Sequence, residues 1–223
     1  MDCNLKELVS MVKVAMDRNM DSTALETIGD VDTLSVNDII KEAIPKAARI
    51  VEQAAPFHLL GRGEPFTGTV YWPGTIGVGS GHIQLPDDFL RLVCFQMSDW
   101  VRPANDVITI DDPRYAMQQS DFSGIKGNPH NPVVAIVPWS TGLELEFYSC
   151  TAGAAVTVRR ARYLPMPKVS GTGDAATVNI SEKLQDAIVY YAAALAATSL
   201  GMSELAGNLI THSKSLVEPQ GQP

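Results

Sequence analysis

The sequence predicts an α+β fold in which helices from both ends of the chain form a bundle, with an antiparallel β-sheet or β-sandwich region inserted between them. Apolar residues recur at helical spacing near both termini, the period becomes strand-like in the middle, and one long apolar helix is predicted at Ile180–Leu200. We therefore assign 1–60 and 168–223 to the helical part and 61–167 to the β-rich insertion.

Composition limits the classes of function. The chain has 223 residues, 45% of them hydrophobic, and its 17 basic and 25 acidic side chains give a net charge of −8. Such a balance disfavours tight binding of a phosphate backbone, which depends on Lys and Arg. The three widely spaced cysteines, Cys3, Cys94 and Cys150, indicate reduced thiols. The N-terminal sequence lacks the basic stretch followed by an apolar stretch that is typical of a secretion signal.

Two helices are predicted near the N-terminus. Apolar residues at helical spacing predict an amphipathic helix over 4–16, and the polar, acidic stretch 17–34 predicts a loop. Ser35 is a suitable N-cap for the second helix, with Asp38 in its first turn, and Pro56 follows its end.

A series of strands is predicted in the middle of the chain. Leu90–Met97 is apolar on both faces, which predicts a central strand. The last three strands are separated by short turns and predict a meander. The predicted strands are Thr67–Trp72, His82–Leu85, Leu90–Met97, Val107–Ile110, Val133–Val137, Leu143–Ser149 and Ala155–Tyr163.

Loops and a short helix are predicted between these strands. The glycine-rich stretch Pro73–Gly81 predicts a loop, and Asp112 followed by Pro113 predicts the start of a short helix that runs to Gln119. Lys168–Ala176 is predicted as a linker that returns the chain to helix.

The helix at Ile180–Leu200 has two apolar faces. Leu184, Ile188, Tyr191 and Leu195 form one stripe, and a second face consists of the small side chains of Ala192, Ala193, Ala196 and Ala197. Asn179 and Ser181 compete as the N-cap, and Gly201 is a suitable stop.

A helix apolar on nearly all sides must be covered on nearly all sides. A membrane span is an alternative, because no residue from Ala187 to Ser203 is charged. The many alanines favour a helix buried in a core or between subunits. After Gly201, a last helix is predicted from Ser203, and 218–223 is predicted to be an extended tail.

No catalytic, cofactor-binding or metal-binding pattern emerges. None of the four histidines, His58, His82, His130 and His212, has metal-ligand spacing to another ligand, and no nucleophile motif or phosphate-binding loop occurs. We therefore expect a protein that is not an enzyme and needs no cofactor. A small cytosolic enzyme remains the alternative, and a pocket joining His130, Asp121 and Asp112 would support it.

Charges on two strands predict a ladder. Glu144 and Glu146 share one face of their strand, and Arg160 and Arg162 share one face of the next. If the two strands form a hairpin, these charges pair across it. The alternative is that Arg159, Arg160 and Arg162 face a neighbouring subunit.

The three tryptophans permit two interpretations. Trp72, Trp100 and Trp139 lie at or near predicted strand ends, where they either pack at the edge of the core or anchor an interface. A groove lined by all three would favour a β-sandwich binding module, displayed on a virion, for carbohydrate or a host receptor.

The order of these parts resembles a known family. The chain resembles the head-to-tail connector, or adaptor, proteins of short-tailed bacteriophages, and most of all the first ring protein below the portal in crAss-like phages. The segments that carry the resemblance are His82–Gln96, Asp111–Gln119, Gly127–Val137, Leu143–Ser149, Arg160–Pro167 and Asp186–Ala197.

The resemblance implies a structural protein of the virion neck, made in the host bacterial cytoplasm. It implies a ring of twelve copies that docks on the portal protein, meets the next neck or tail ring protein, and encloses DNA without sequence-specific binding. No membrane is involved. The candidate residues for portal docking are Leu205, Leu209, Ile210 and Leu216. The candidates for contacts between subunits are Tyr191, Ala192, Ala196, Arg159, Arg160 and Arg162.

Overall fold

The protein has the predicted α+β fold. A computed structural model describes residues 2–16, 35–72, 79–104, 107–120, 122, 124–140, 142–148, 150 and 156–218. The predicted loop at 17–34, most of the predicted loop at Pro73–Gly81, and the predicted tail beyond residue 218 lie outside the described residues. No helix of the described part of the chain is long and apolar enough to cross a membrane.

The described part of the chain contains both helices and strands. The helices are α1 (Leu5–Ala15), α2 (Val36–Ala54), α3 (Pro113–Met117), α4 (Gln185–Ser199) and α5 (Ser203–Val217), with short 3-10 helices at Gly173–Ala175 and Glu182–Leu184. The strands are β1 (Asp2–Asn4), β2 (Glu64–Pro65), β3 (Val70–Tyr71), β4 (Gly81–Gln84), β5 (Phe89–Met97), β6 (Val107–Thr109), β7 (Val134–Trp139), β8 (Gly142–Phe147), β9 (Val158–Pro165), β10 (Val169–Ser170) and β11 (Thr177–Asn179).

The chain divides into two compact units. The helical unit consists of Met1–Gly61 and Met166–Pro223, and the β unit consists of Arg62–Pro165. Besides four helices, the helical unit contains a small antiparallel sheet in the order β1-β11-β10. These strands fall outside the predicted set because each has only two or three residues, too few for an alternating pattern to be read.

Helix α4 lies at the centre of the helical unit, where α1, α2 and α5 pack against it. The side chains of Ala192, Ala193, Ala196 and Ala197 are fully buried. Such small side chains allow neighbouring helices to approach closely, since the distance between helix axes depends on the side chains at the contact. One buried hydrogen bond joins α5 to α4, because the Ser213 hydroxyl donates to the carbonyl of Ala187 at 2.8 Å.

The C-terminal end of α4 is as predicted. Gly201 has a φ of 75°, the left-handed conformation that glycine adopts without strain. Its N–H donates to the carbonyl of Thr198 at 3.1 Å, and the N–H of Met202 donates to that of Ala197 at 2.9 Å. This pair of bonds is a Schellman motif, which satisfies carbonyls that the helix end leaves open.

The N-terminal end of α4 differs from the prediction. Asn179 ends β11, and the Ser181 side chain makes no capping hydrogen bond. Instead the Ser181 hydroxyl accepts the N–H of Gly61 at 3.4 Å, and the buried Glu52 carboxylate on α2 accepts the N–H of Ser181 at 2.6 Å. A carboxylate 129 residues away in sequence therefore holds the turn that precedes α4.

The N-terminal helices have side-chain caps. The Asn4 side chain accepts the N–H groups of Lys6 and Glu7 at the start of α1. Ser35 caps α2 as predicted, since its hydroxyl accepts the N–H of Asp38 at 3.2 Å. The hydroxyl also donates to the Asp38 carboxylate, a bond that lowers the pKa of that carboxyl.

The β unit contains two sheets that share one core. The five-stranded sheet has the order β3-β4-β8-β7-β6, antiparallel except for the parallel pair β6–β7, and the three-stranded sheet has the antiparallel order β2-β9-β5. Side chains of both sheets join one buried cluster that includes Ile83, Phe95, Leu145, Phe147 and Tyr163. Helix α3 lies beside a smaller cluster that contains Ala135 and Val137, so β7 is buried on both faces.

Two of the predicted strand arrangements are wrong. The β7–β8 hairpin forms, but β8 pairs with β4 and β7 whereas β9 pairs with β2 and β5, so the third strand of the predicted meander belongs to the other sheet. Alternating side chains show which face of a strand is buried but do not identify the strand beside it.

Strand β5 is an edge strand rather than a central one. Among the described strands it pairs only with β9, and the register shifts at three points along the pair. Such bulges break the alternation of side chains. The strand is nevertheless buried on both faces at Phe95 and Gln96, and Phe95 exchanges backbone hydrogen bonds with Ala104 on its other side.

The buried carboxyl of Glu52 predicts a pH-dependent stability. Burial raises its pKa, against the lowering effect of the Ser181 N–H. The folded chain therefore holds a proton that the unfolded chain releases, and the free energy of unfolding falls as the pH rises from about 4.3, the ordinary pKa of Glu, to the raised value. Glu52→Gln keeps an acceptor but cannot titrate, so the stability of this variant should change less across this pH range.

Urea unfolding at a series of pH values measures the difference, with Glu42→Gln on the exposed face of α2 as the control. A constant difference between Glu52→Gln and the natural chain at every pH would contradict the prediction.

Candidate interaction surfaces

The histidines of the described part of the chain are distributed over both units. His58 and His212 belong to the helical unit, and His82 and His130 belong to the β unit. No group of three or more His, Cys, Asp or Glu side chains among the described residues is placed to hold a metal ion.

The pocket that would join His130, Asp121 and Asp112 falls partly outside the described residues. Asp121 lies outside the described residues. The Asp112 carboxylate caps α3 by accepting the N–H of Arg114 at 2.9 Å, and it also accepts the Arg114 guanidinium at 2.7 Å. These bonds lower the pKa of Asp112 and give the carboxylate a structural role at the start of α3.

The three tryptophans do not line a common groove. Trp100 is buried in the core of the β unit, and Trp72 packs edge-on against Phe147 at a ring distance of 5.3 Å. Only Trp139 is well exposed among the three, with 52% of its surface accessible. The binding-module hypothesis therefore loses the tryptophan groove on which it depended.

The predicted ladder between glutamates and arginines does not form, because β8 and β9 belong to different sheets. Glu144 and Glu146 are instead buried on one face of the five-stranded sheet. One Glu144 oxygen lies 3.5 Å from Nε2 of His82. Glu146 accepts hydrogen bonds from the hydroxyls of Tyr115, at 3.0 Å, and Tyr148. Burial and the bond to Glu146 raise the pKa of Tyr148, so this hydroxyl stays a donor.

An aromatic row lies near these carboxylates on the five-stranded sheet. The His82 ring stacks with Tyr71 at 5.2 Å and with Trp139 at 6.0 Å. Tyr71 and Trp139 are each more than half exposed. The sequence analysis missed this row because its members come from three separate strands, whose neighbours the sequence does not reveal.

The arginines of β9 lie along a groove of the β unit. Arg159, Arg160 and Arg162 are all exposed. They line an open groove of about 810 Å³ together with residues 65–68, Val70 and residues 156–158. We call this the arginine groove. Its lining includes the apolar side chains of Phe66, Ile83 and Val156. The Arg162 guanidinium donates to the carbonyls of Arg62 and Gly63 at 3.3 and 3.0 Å.

The arginine groove also contains a thiol. Cys94 lies opposite Arg162 in the β5–β9 pairing and lines the groove. Burial raises the pKa of Cys94, and the positive charges of Arg162 and Arg160 act in the opposite direction. The groove therefore combines an apolar lining, three guanidinium groups and one largely protonated thiol.

The candidate subunit contacts on α4 differ from one another in exposure. Ala192 and Ala196 are fully buried by helices of their own chain, so their side chains have no free surface to offer to another subunit. Tyr191 and Leu195 are only partly buried. The alanine face of α4, which suggested a contact with another subunit, is thus covered by helices of the same chain.

The candidate docking residues on α5 do not form one exposed stripe. Leu209 is buried on the same side as Ala206 and Ser213, whereas Leu205 and Ile210 are partly buried. Leu216 is 42% exposed and lines a shallow groove of about 610 Å³ with Met11 and Val14 of α1. The Tyr190 and His212 rings meet edge-to-face at 4.3 Å in the same groove.

A family model described as SU10 adaptor protein matches residues 4–213 of the chain. The matched range includes all of the β unit and most of the helical unit. A search of curated proteins gave no match.

The hydrogen bonds to Glu146 predict a specific loss of stability. Tyr148→Phe removes one donor from a buried carboxylate and should lower the free energy of unfolding by about 1.5–3 kcal/mol, the range for a hydrogen bond to a charged group. Tyr71→Phe is the matched control, because that ring is half exposed, and its effect should stay within about 0.5 kcal/mol. Urea unfolding measures both variants. Equal effects of the two substitutions would show that Glu146 does not depend on Tyr148.

Proposed function

The chain belongs to the SU10 adaptor protein family, and from this membership we propose that it forms a ring in the neck of a phage virion, docked under the portal protein. Proteins of this family are structural adaptors of bacteriophages, so the chain is a virion component that interacts with other phage head or tail proteins. The match over residues 4–213 is the observation that carries the proposal.

We propose a ring of twelve copies, of the type of the first ring protein in crAss-like phages, assembled in the host bacterial cytoplasm. Its partners are the portal protein on one side and the next neck or tail ring protein on the other. The ring extends the channel through which DNA passes. The net charge of −8 supports a channel that does not retain DNA, because binding of the phosphate backbone depends on an excess of Lys and Arg.

The exposed residues limit which surfaces can make these contacts. Leu216, at the end of α5 in the groove beside α1, is the most exposed of the candidate docking residues, and Leu205 and Ile210 add partly exposed apolar surface. Leu209 supports the position of α5 from within. Tyr191, Arg159, Arg160 and Arg162 remain as candidates for contacts between subunits, whereas Ala192 and Ala196 hold neighbouring helices of the same chain close to α4.

Oligomer mass tests the proposal. We expect native mass spectrometry of the chain to show a species with twelve times the 24.0 kDa mass of one chain, and in a mixture with the portal protein of the same phage we expect the portal oligomer to gain that mass. Electron micrographs of the mixture should show rings on the portal. Monomers alone, both with and without portal protein, would contradict the proposal.

A substitution on α5 tests the docking surface. Leu216→Asp should weaken portal binding at least about tenfold, since it places a charge in an apolar contact at a cost of about 1.4 kcal/mol or more. Ile50→Asp on α2 is the matched control, because Ile50 is 38% exposed and Leu216 is 42% exposed. Equal portal affinity of both variants, at unchanged thermal stability, would remove Leu216 from the docking surface.

A further inference from the structure

The arginine groove runs along an open strand edge. Strand β9 pairs with β5 along its length, but it pairs with β2 only at Tyr163 and Arg162, followed by a bond of 3.2 Å from the Phe66 N–H to the Ala161 carbonyl. Beyond that bond, no strand of the described residues pairs with this side of β9. The backbone of Val158–Arg160 is therefore open to an additional strand.

The other parts of the groove suit an extended polypeptide. Thr67, Gly68 and Val70 also line the groove, and this stretch leads into β3, the outermost strand of the five-stranded sheet. Phe66, Ile83 and Val156 give the lining an apolar character. An added strand gains affinity from backbone hydrogen bonds and specificity from the sites that its alternate side chains occupy.

The charge of the groove indicates an acidic occupant. Three of the 17 basic residues of the chain fall within four positions on β9, in a protein of net charge −8. All three side chains are exposed, and no ion pair between them and a carboxylate occurs in the part of the chain that the structure describes. Guanidinium groups bind carboxylates through paired hydrogen bonds, so these positions select for Asp and Glu.

One segment of this chain has matching chemistry. Residues 17–34 contain five acidic residues, one basic residue and the apolar residues Leu25, Ile28, Val31 and Leu34. The other stretches of five or more residues outside the described structure, 73–78, 151–155 and 219–223, carry no charge. The segment joins α1 to α2, so both of its ends are held by its own chain, and it reaches outward by at most about half of its roughly 60 Å extended length.

We propose that the arginine groove binds the acidic segment 17–34 of a neighbouring copy, which adds as an extended strand beside β9. The inference rests on the proposed ring. In a ring each subunit offers its arginine groove to one neighbour and its segment 17–34 to the other, so the same contact repeats around the circle. The carboxylates of the segment meet Arg159, Arg160 and Arg162, and its apolar side chains contact the lining of the groove.

Peptide binding tests the groove apart from ring formation. The probe is a fluorescein-labelled peptide of residues 17–34. The binding partner is the full chain with Asp17, Asp21, Glu26, Asp30 and Asp32 changed to their amides, so that its own segment does not compete. We expect Arg159→Gln with Arg160→Gln to weaken binding at least tenfold in fluorescence anisotropy. Arg162 stays unchanged because it bonds the carbonyls of Arg62 and Gly63.

Two controls make the peptide measurement specific. Lys46→Gln with Arg49→Gln removes the same charge from the exposed face of α2 and should leave the affinity unchanged. Arg159→Glu with Arg160→Glu should bind a peptide carrying Asp30→Lys and Asp32→Lys better than the natural peptide. Equal affinity for all protein variants would overturn the proposal. Binding of a single-stranded DNA oligonucleotide, instead of the peptide, with the same loss in Arg159→Gln/Arg160→Gln would also overturn it and assign the groove to nucleic acid.

Cross-linking in the assembled protein identifies the copy that supplies the segment. One tagged copy carries Ile28→Cys and Cys94→Ser, and an untagged copy keeps the natural Cys94, which lines the groove. We expect oxidation of the mixed assembly to join tagged to untagged chains. A chain carrying both Ile28→Cys and Cys94 is the control, and a disulfide that forms only within this single chain overturns the proposal. Rings that form normally without the cross-link would overturn this inference and leave the proposed function standing, whereas the absence of rings would overturn the proposed function itself.

Discussion

The close packing of α4 by helices of its own chain is the constraint on which the helical unit depends. Alanines at four positions remove the bulk that would keep α1, α2 and α5 at a distance, and the many close atomic contacts that result add up to a large stabilisation. A helix with so few charged side chains is stable in water only when other groups bury it. Here α1, α2 and α5 of the same chain do so. A surface for contact with another protein therefore has to use the side chains that these helices leave exposed, or those of the β unit.

Buried carboxylates are the second feature that organises the molecule. Removing a carboxylate from water is costly unless hydrogen bonds replace the lost hydration. Glu52 accepts the N–H of Ser181 and thereby links α2 to the turn that precedes α4, while Glu146 accepts two tyrosine hydroxyls on the five-stranded sheet. Glu52 joins segments 129 residues apart in sequence, and the bond from Tyr115 to Glu146 joins α3 to β8.

The sequence predicted the class of fold and most of the elements, because these depend on local periodicity and caps such as Ser35 and Gly201. It did not predict which sheet β9 joins, the edge position of β5, or the contact between Glu52 and Ser181, because these depend on contacts between distant residues. The candidate surface residues show the same limit. Periodicity identified Ala192, Ala196 and Leu209 as parts of apolar faces. It could not show whether helices of the same chain or another subunit bury these faces. The arginines of β9 were recognised as one group, yet the groove beside them depends on residues 65–68 and Val70, about ninety residues earlier.

Amide hydrogen exchange of α4 tests the central claim most directly. The experiment compares the exchange rates of Ile188–Ala197 in the unassembled chain and in the assembled protein. If α1, α2 and α5 cover α4, these amides exchange slowly in the single chain and assembly changes them little, because their opening requires unfolding of the helical unit. Rapid exchange in the unassembled chain, with protection only after assembly, would show that other subunits provide the cover and would contradict the account.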